Sequence, residues 1–232
     1  VLSRGLGDVY KRQDTDLPHM LPKQEVWGKI MSSLGINNND DILIYDNSDL
    51  KSSCRLWFNL LYFGHNEKKI HILNGGLKKW IFENKPITKD ATEIIKSNYV
   101  ANEKEILVVS FDQIKKNILS KSFNVIDARS LERFEGKVSE PRKGLRSGHI
   151  QNSFCLPFNQ CINQKTGEFK NLEELRELFN QNENIEKRLD QVFTCGSGVT
   201  AAVLAYAYKM VNNDYIPKIY DGSWSEYGKY PA

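Results

Sequence analysis

The chain is short of the residues on which metal and disulfide scaffolds depend. Its 232 residues include 4 cysteines and 4 histidines. Cys54, Cys155, Cys161 and Cys195 show neither C-x-x-C spacing nor a companion histidine pair, which argues against a structural zinc site and a disulfide framework. Neither sign of charge is in clear excess, since 32 Lys and Arg against 29 Asp and Glu leave +3. No basic run is long enough for a nucleic-acid arm or a polybasic membrane anchor. The longest apolar stretch, Val199 to Tyr208, is about half of the roughly 20 residues that span a bilayer. No charged-then-apolar leader of the secretory type is seen. These absences predict a protein that engages neither nucleic acid nor membrane and keeps its thiols free in a reducing compartment. A small anion is the partner they favour. What is present, 40% hydrophobic and 11% aromatic residues, suffices for a real core in one or two domains.

Short β-branched runs alternate with helical patterns. Ile42–Tyr45 reads as a strand, Leu56–Phe63 as a helix, Ile70–Leu73 as a strand and Leu77–Phe82 as a helix. After a polar stretch the pattern resumes with strands at Ile106–Val109, Phe123–Asp127, Gln191–Thr194 and Lys218–Tyr220. This alternation predicts an α/β fold with a mainly parallel sheet. Behind Cys195, the residues Ala201, Leu204, Ala205 and Tyr208 recur at helical spacing, so a helix with a buried, small-residue face is expected there.

The chain also resembles itself. Asp41-Ile-Leu-Ile-Tyr-Asp46 overlays Asp190-Gln-Val-Phe-Thr-Cys195, and Leu73-Asn-Gly-Gly-Leu-Lys-Lys-Trp80 overlays Tyr220-Asp-Gly-Ser-Trp-Ser-Glu-Tyr227, as expected of two diverged copies of one unit. Asp46 then stands where Cys195 stands, so one active centre is expected rather than two. The expected units are residues 14–85, a linker at 86–105 and a second unit at 106–232. About 85 residues precede Asp190 in its copy and 40 precede Asp41, so the first copy is expected to lack about 45 residues. Val1–Gln13 carries no pattern and is set aside from the fold.

The sharpest local signal is Thr194-Cys195-Gly196-Ser197-Gly198-Val199-Thr200, a thiol between a buried strand and a helix N-terminus. Glycines let such a loop curl so that several N–H groups face one atom, and the helix dipole adds to the field. The setting favours a reactive thiolate over the thiol.

Cys195 to Ala201 resembles the active loop of the 3-mercaptopyruvate sulfurtransferases, two-domain members of the rhodanese superfamily. The resemblance extends to Asp127-Ala-Arg129 with Arg133-Phe134, Glu140-Pro-Arg142, Gly144-Leu-Arg146-Ser-Gly-His-Ile150, Tyr220-Asp-Gly-Ser-Trp-Ser-Glu226, and Pro18-His-Met-Leu-Pro22. It implies two rhodanese-like domains, each a mainly parallel sheet flanked by helices, the first incomplete and the second catalytic. It further implies transfer of sulfane sulfur from 3-mercaptopyruvate through a persulfide on Cys195 to a thiol such as thioredoxin, or to cyanide, with no metal or organic cofactor. In this resemblance the Gly196, Gly198, Val199 and Thr200 backbone holds the sulfur anion, Arg133 and Arg142 clamp the keto acid, and Ser197 with His19 positions the carbonyl or moves a proton. No aspartate partner of His19 is assigned, because Asp8, at a tempting spacing, lies in the opening stretch. Gln151-Asn152 departs from the Pro-Gly usual in the family. A cytoplasmic location is expected, with the mitochondrion as the alternative.

Two other functions compete. A thiosulfate:cyanide sulfurtransferase would suit a cationic loop better than the neutral Gly196-Ser197-Gly198, and a sulfur-carrier or interaction module without turnover would follow from an incomplete first unit. A cysteine phosphatase would need arginine at position 201, which is alanine. Arg146 is given no contact. His149 is read as a packing residue, as are Trp80 and Trp224; His65 and His71 are given no chemistry, and Cys54, Cys155 and Cys161 are read as core or peripheral thiols, with a redox accessory role the alternative for Cys161.

Overall fold

A computed structural model describes residues 16–181 and 185–231. In the first half, helix α1 (Gln24–Ser33) is followed by β1 (Ile42–Ile44), α2 (Ser52–Tyr62), β2 (Ile70–Ile72) and α3 (Gly76–Phe82). The second half runs β3 (Val108–Val109), α4 (Phe111–Ser120), β4 (Phe123–Asp127), α5 (Leu131–Phe134), β5 (Ser153–Cys155), α6 (Leu172–Asn180), β6 (Asp190–Thr194), α7 (Ala201–Val211), β7 (Lys218–Tyr220) and α8 (Ser223–Tyr227). All strand pairs in the two sheets are parallel. β1 pairs with β2, and the larger sheet has the order β3-β7-β6-β4-β5. The carboxyl ends of the central strands β7, β6 and β4 therefore lie side by side, the place where open parallel sheets present their chemistry.

Sequence explains most of these elements locally. α4 opens on a capping box in which Ser110 and Gln113 satisfy each other's backbone N–H, and α6 opens on the same device with Asn171 and Glu174. β6 is buried from Gln191 to Thr194, as a strand covered on both faces must be. One strand expectation needs correction and one strand is added. Glu105–Leu107 winds into a 3₁₀ turn with Ile106 exposed, so the strand expected over Ile106–Val109 is only Val108–Val109. β5 was not anticipated, because Ser-Phe-Cys carries no apolar run and becomes a strand only through its register with Val125–Asp127 of β4. Asn152, just before it, has φ 62°, the left-handed conformation that asparagine tolerates better than most residues. The departure from Pro-Gly is thus accommodated.

One core joins the halves. Small alanines on α7 let it approach α2 closely, with Trp57 meeting Tyr206 edge to face at 5.0 Å between ring centroids. Trp27, Trp57, Phe58, Phe193 and Leu204 are all buried in this one cluster, each large apolar side chain contributing about 1.5–3 kcal/mol. The polar stretch after α3 forms no helix or strand but is tied to the first half. Ser97 N–H donates to Ser32 O, Asn102 N–H to Phe63 O and Lys104 N–H to Tyr62 O. Among the described residues no helix is long and apolar enough to cross a membrane.

Candidate active site

Cys195 follows directly on β6, at the centre of the larger sheet, and is 2% exposed. The loop behind it is shaped from both sides. Cys195 O accepts from Trp224 N–H and Gly196 O from Ser225 N–H, both at 2.9 Å, while Gly198 O accepts from Arg55 Nη1 at 3.1 Å. A trans peptide points its carbonyl and the next N–H in opposite directions. The N–H groups of Gly196, Ser197 and Val199 consequently face away from these partners. Among the described residues, none of the N–H groups from Gly196 to Thr200 donates to a protein acceptor. Unpaired donors on a curled loop before a helix are a ready seat for an anion. Gly198 is required by its position, with φ 79° and space for a Cβ only 2.9 Å from Arg55 Nη1 and 3.0 Å from Asp221 Oδ1.

Two guanidinium groups converge on this loop. A Cβ on Gly196 would lie 3.1 Å from Arg133 Nη2 and 3.6 Å from Arg142 Nη1, so both predicted arginines stand beside the cysteine. Arg133 is oriented by Glu140, which accepts from Nη2 at 2.6 Å and from Nε at 3.2 Å. Glu140 also receives Arg129 Nη1 at 2.7 Å. Arg142 has no carboxylate partner among the described residues, and its Nη2 donates to Ser197 Oγ at 3.3 Å. The remaining donors of Arg142 are open to a ligand carboxylate, the anion a guanidinium fork suits best.

His19 reaches the site from the other half of the chain, with Nδ1 2.9 Å from Ser197 Oγ. Arg142 can only donate, so Ser197 Oγ accepts from it and has both its own hydrogen and a second lone pair left for His19 Nδ1. Around the buried Cys195, His19 is exposed and Arg133, Arg142, Val199 and Thr200 are half-buried. The structure thus brings every predicted site residue to one place. Asp8 lies outside the described residues.

The other three thiols have no such setting. Burial pushes Cys155 and Cys161 up to about 12 and raises Cys54 still further, so all three remain protonated thiols near neutral pH. In the first half Asp46 occupies the place of Cys195. Its backbone oxygen accepts from Leu77 N–H at 2.9 Å, as Cys195 O does from Trp224 N–H. Its carboxylate accepts from Ser53 N–H at 2.6 Å at the start of α2, so this copy fills its own anion seat. His149 packs on Phe134 and shares Nδ1 with Phe134 O at 2.8 Å, while Trp224 lies under Arg129 and Arg146. Arg55 and Asp221 are the site-bordering groups given no role from sequence. The only signal for Arg55 is a lone charge between Cys54 and Leu56 at the start of an apolar helix.

The rhodanese-like domain family matches residues 6–83 and 110–230. Part of the opening stretch set aside above, residues 6–13, therefore falls within the match. The chain is 36% identical to thiosulfate/3-mercaptopyruvate sulfurtransferase 1, mitochondrial, of Arabidopsis thaliana, over 97% of this chain, and spans 63% of that relative's length. It is 35% identical to the 3-mercaptopyruvate sulfurtransferase of Homo sapiens, covering 95% of this chain and 74% of the human one. Among solved structures, SseA from Escherichia coli, described as a 3-mercaptopyruvate sulfotransferase with the rhodanese fold, superposes with a TM-score of 0.79 at 32% identity. That match covers 92% of this chain and 78% of SseA. With a glycine-lined cysteine loop behind a central parallel strand, a second unit of the same pattern and matches over nearly its whole length, the chain belongs to the rhodanese family.

Proposed function

We propose that the chain is a sulfurtransferase that takes sulfane sulfur from 3-mercaptopyruvate onto Cys195 and passes it to a thiol such as thioredoxin, or to cyanide. The observation that carries this reading is the convergence of Arg133 and Arg142 over Gly196, beside a cysteine whose loop amides have no protein acceptor. In the first step the Cys195 thiolate attacks the donor's sulfur. An S–S bond forms, the donor's C–S bond breaks, and its electron pair passes to the carbon, leaving the enolate of pyruvate. The arginines hold the carboxylate and keto oxygen, where negative charge grows. Ser197, hydrogen-bonded to His19, is the hydroxyl nearest the arginine clamp from which a proton reaches the enolate. The outer sulfur, carried as a persulfide among the loop amides, is then attacked by an acceptor thiolate, and the S–S electrons return to Cys195. No step needs a metal or an organic cofactor.

Thiosulfate is the alternative donor, and the Arabidopsis relative bears both names. The neutral Gly196-Ser197-Gly198 sequence favours the singly charged keto acid over a dianion. Residues 14–85 are proposed as the non-catalytic unit and 106–232 as the catalytic one, joined through 86–105.

The test is intact mass after exposure to each donor. Incubation with 3-mercaptopyruvate is expected to add one sulfur atom to Cys195 faster than thiosulfate does. Faster loading by thiosulfate would reverse the donor order, and loading by neither would favour a module without turnover. Arg142→Ala and Arg133→Ala are expected to raise KM for 3-mercaptopyruvate by about 10- to 100-fold, since a charged hydrogen bond contributes about 1.5–3 kcal/mol. Unchanged steady-state kinetics would remove these arginines from the donor site.

A further inference from the structure

We infer that Arg55, which belongs to α2 and lies outside the cysteine loop, is a positioning residue that seats His19 against Ser197. The inference rests on the sulfurtransferase reading for its kinetic consequence and on geometry alone for its structural one. The Arg55 side chain is 9% exposed and meets three acceptors from three separate parts of the chain. Nη2 donates to His19 O at 2.8 Å, Nη1 donates to Gly198 O at 3.1 Å, and Nη2 stands 2.7 Å from Asp221 Oδ1. Asp221 in turn receives Leu21 N–H on Oδ2 at 2.9 Å. The turn that carries His19 is therefore held on both sides by one buried ion pair, through the carbonyl of His19 itself and the amide two residues on.

That turn needs holding. His19 has φ 60°, a left-handed conformation that is disfavoured for residues with a side chain, though less so for histidine than for most. Arg55 supplies this restraint and, with the same guanidinium, grips the carbonyl of Gly198, the residue next to Ser197. Both partners of the His19–Ser197 hydrogen bond are thus referred to one rigid, planar group. A lysine ammonium is a single centre on a flexible stem and cannot span such a fork. Among the described residues Arg55 makes no contact with Arg133 or Arg142, while Arg142 donates to the same Ser197 hydroxyl at 3.3 Å, so the split between kcat and KM reports which of the two functions Arg55 serves.

The experiment compares wild type, Arg55→Lys, His19→Ala and the double variant. Arg55→Lys is expected to lower kcat for 3-mercaptopyruvate by about 100-fold, the cost of a displacement of about 1 Å in a reacting group, with KM little changed. Adding His19→Ala to Arg55→Lys is expected to produce no further loss, because both remove one interaction. Nitrogen NMR of the histidine side chains supplies a readout independent of turnover. A single tautomer of His19, its signal assigned by disappearance in His19→Ala, is expected in wild type and an average of the two tautomers in Arg55→Lys. Losses that multiply in the double variant, or a His19 signal and kcat that Arg55→Lys leaves unchanged, would overturn the proposal. If wild type loads sulfur from neither donor, the functional reading fails and the NMR comparison alone decides the role of Arg55. Should Arg55→Lys fail to fold, Asp221→Asn loosens the same guanidinium from the opposite side and carries the same measurements and expectations.

Discussion

Cys195→Ser is expected to reduce sulfur transfer by at least about four orders of magnitude, as removal of a nucleophile does in other covalent enzymes. A serine oxygen is a far weaker nucleophile toward sulfur than a thiolate and cannot store the transferred atom as a persulfide. The loss should be kinetic rather than structural, because the two side chains differ little in size and the loop is held through its backbone. Cys195 O and Gly196 O accept from α8, and Cys195 N–H is 3.3 Å from Ser223 Oγ. Melting temperature near that of wild type, together with no added sulfur by mass, is the expected pair of results. Transfer at wild-type rate by Cys195→Ser would move the nucleophile elsewhere. Cys54, Cys155 and Cys161 are poor substitutes, since burial holds each of them as the unreactive thiol.

Arg129→Met is expected to produce the largest loss of stability. Arg129 lies beneath the site with no solvent exposure of its side chain. It makes a forked contact with Asp127 at 2.6–3.1 Å, reaches Glu140 at 2.7 Å and Gly148 O at 2.9 Å, and packs 4.4 Å over Trp224. The side chains of Asp127 and Glu140 are each 1% exposed. Methionine fills much of the volume but leaves Asp127 with no cation and Glu140 with Arg133 alone. Removing one partner of a buried ion pair costs about 3–5 kcal/mol, a large share of the roughly 5–15 kcal/mol that holds a domain folded. Urea denaturation should therefore show a lower midpoint with an unchanged slope, or no folded protein at all. Arg129→Lys, which keeps the charge but not the fork, should fall between the two. Equal midpoints for wild type and Arg129→Met would show that this network contributes nothing to stability. Because Glu140 also orients Arg133, a folded Arg129 variant is further expected to bind the keto acid less well.

How much of this was legible beforehand follows from the range of the forces involved. The alternation of strands and helices, the buried face of α7 and the capping of α4 and α6 depend on residues close together in the chain. The Cys195 loop was likewise visible, because its chemistry lies in seven consecutive residues and glycine at 196 and 198 has a steric meaning of its own. β5 was not visible, because three residues with no apolar run become a strand only beside β4. The Ile106 strand was overread, since β-branched character counts only when the neighbouring strand accepts it, and β7 pairs with just Val108 and Val109.

His19 and Arg55 mark the boundary more sharply. A histidine between two prolines and an arginine in an apolar helix have no intrinsic role, and resemblance alone pointed to the first. Their meeting with Ser197 and Asp221 spans 178 and 166 residues of chain, and arises because α2 packs on α7. The α/β alternation, the doubled unit and the one sulfur seated in a glycine turn are readable from short segments, since backbone sterics and hydrophobic period are local properties. Which distant charges surround that sulfur depends on how the two halves pack. Hydrogen bonds and ion pairs act over a few ångströms, and their partners exist only once the core has brought the two halves together.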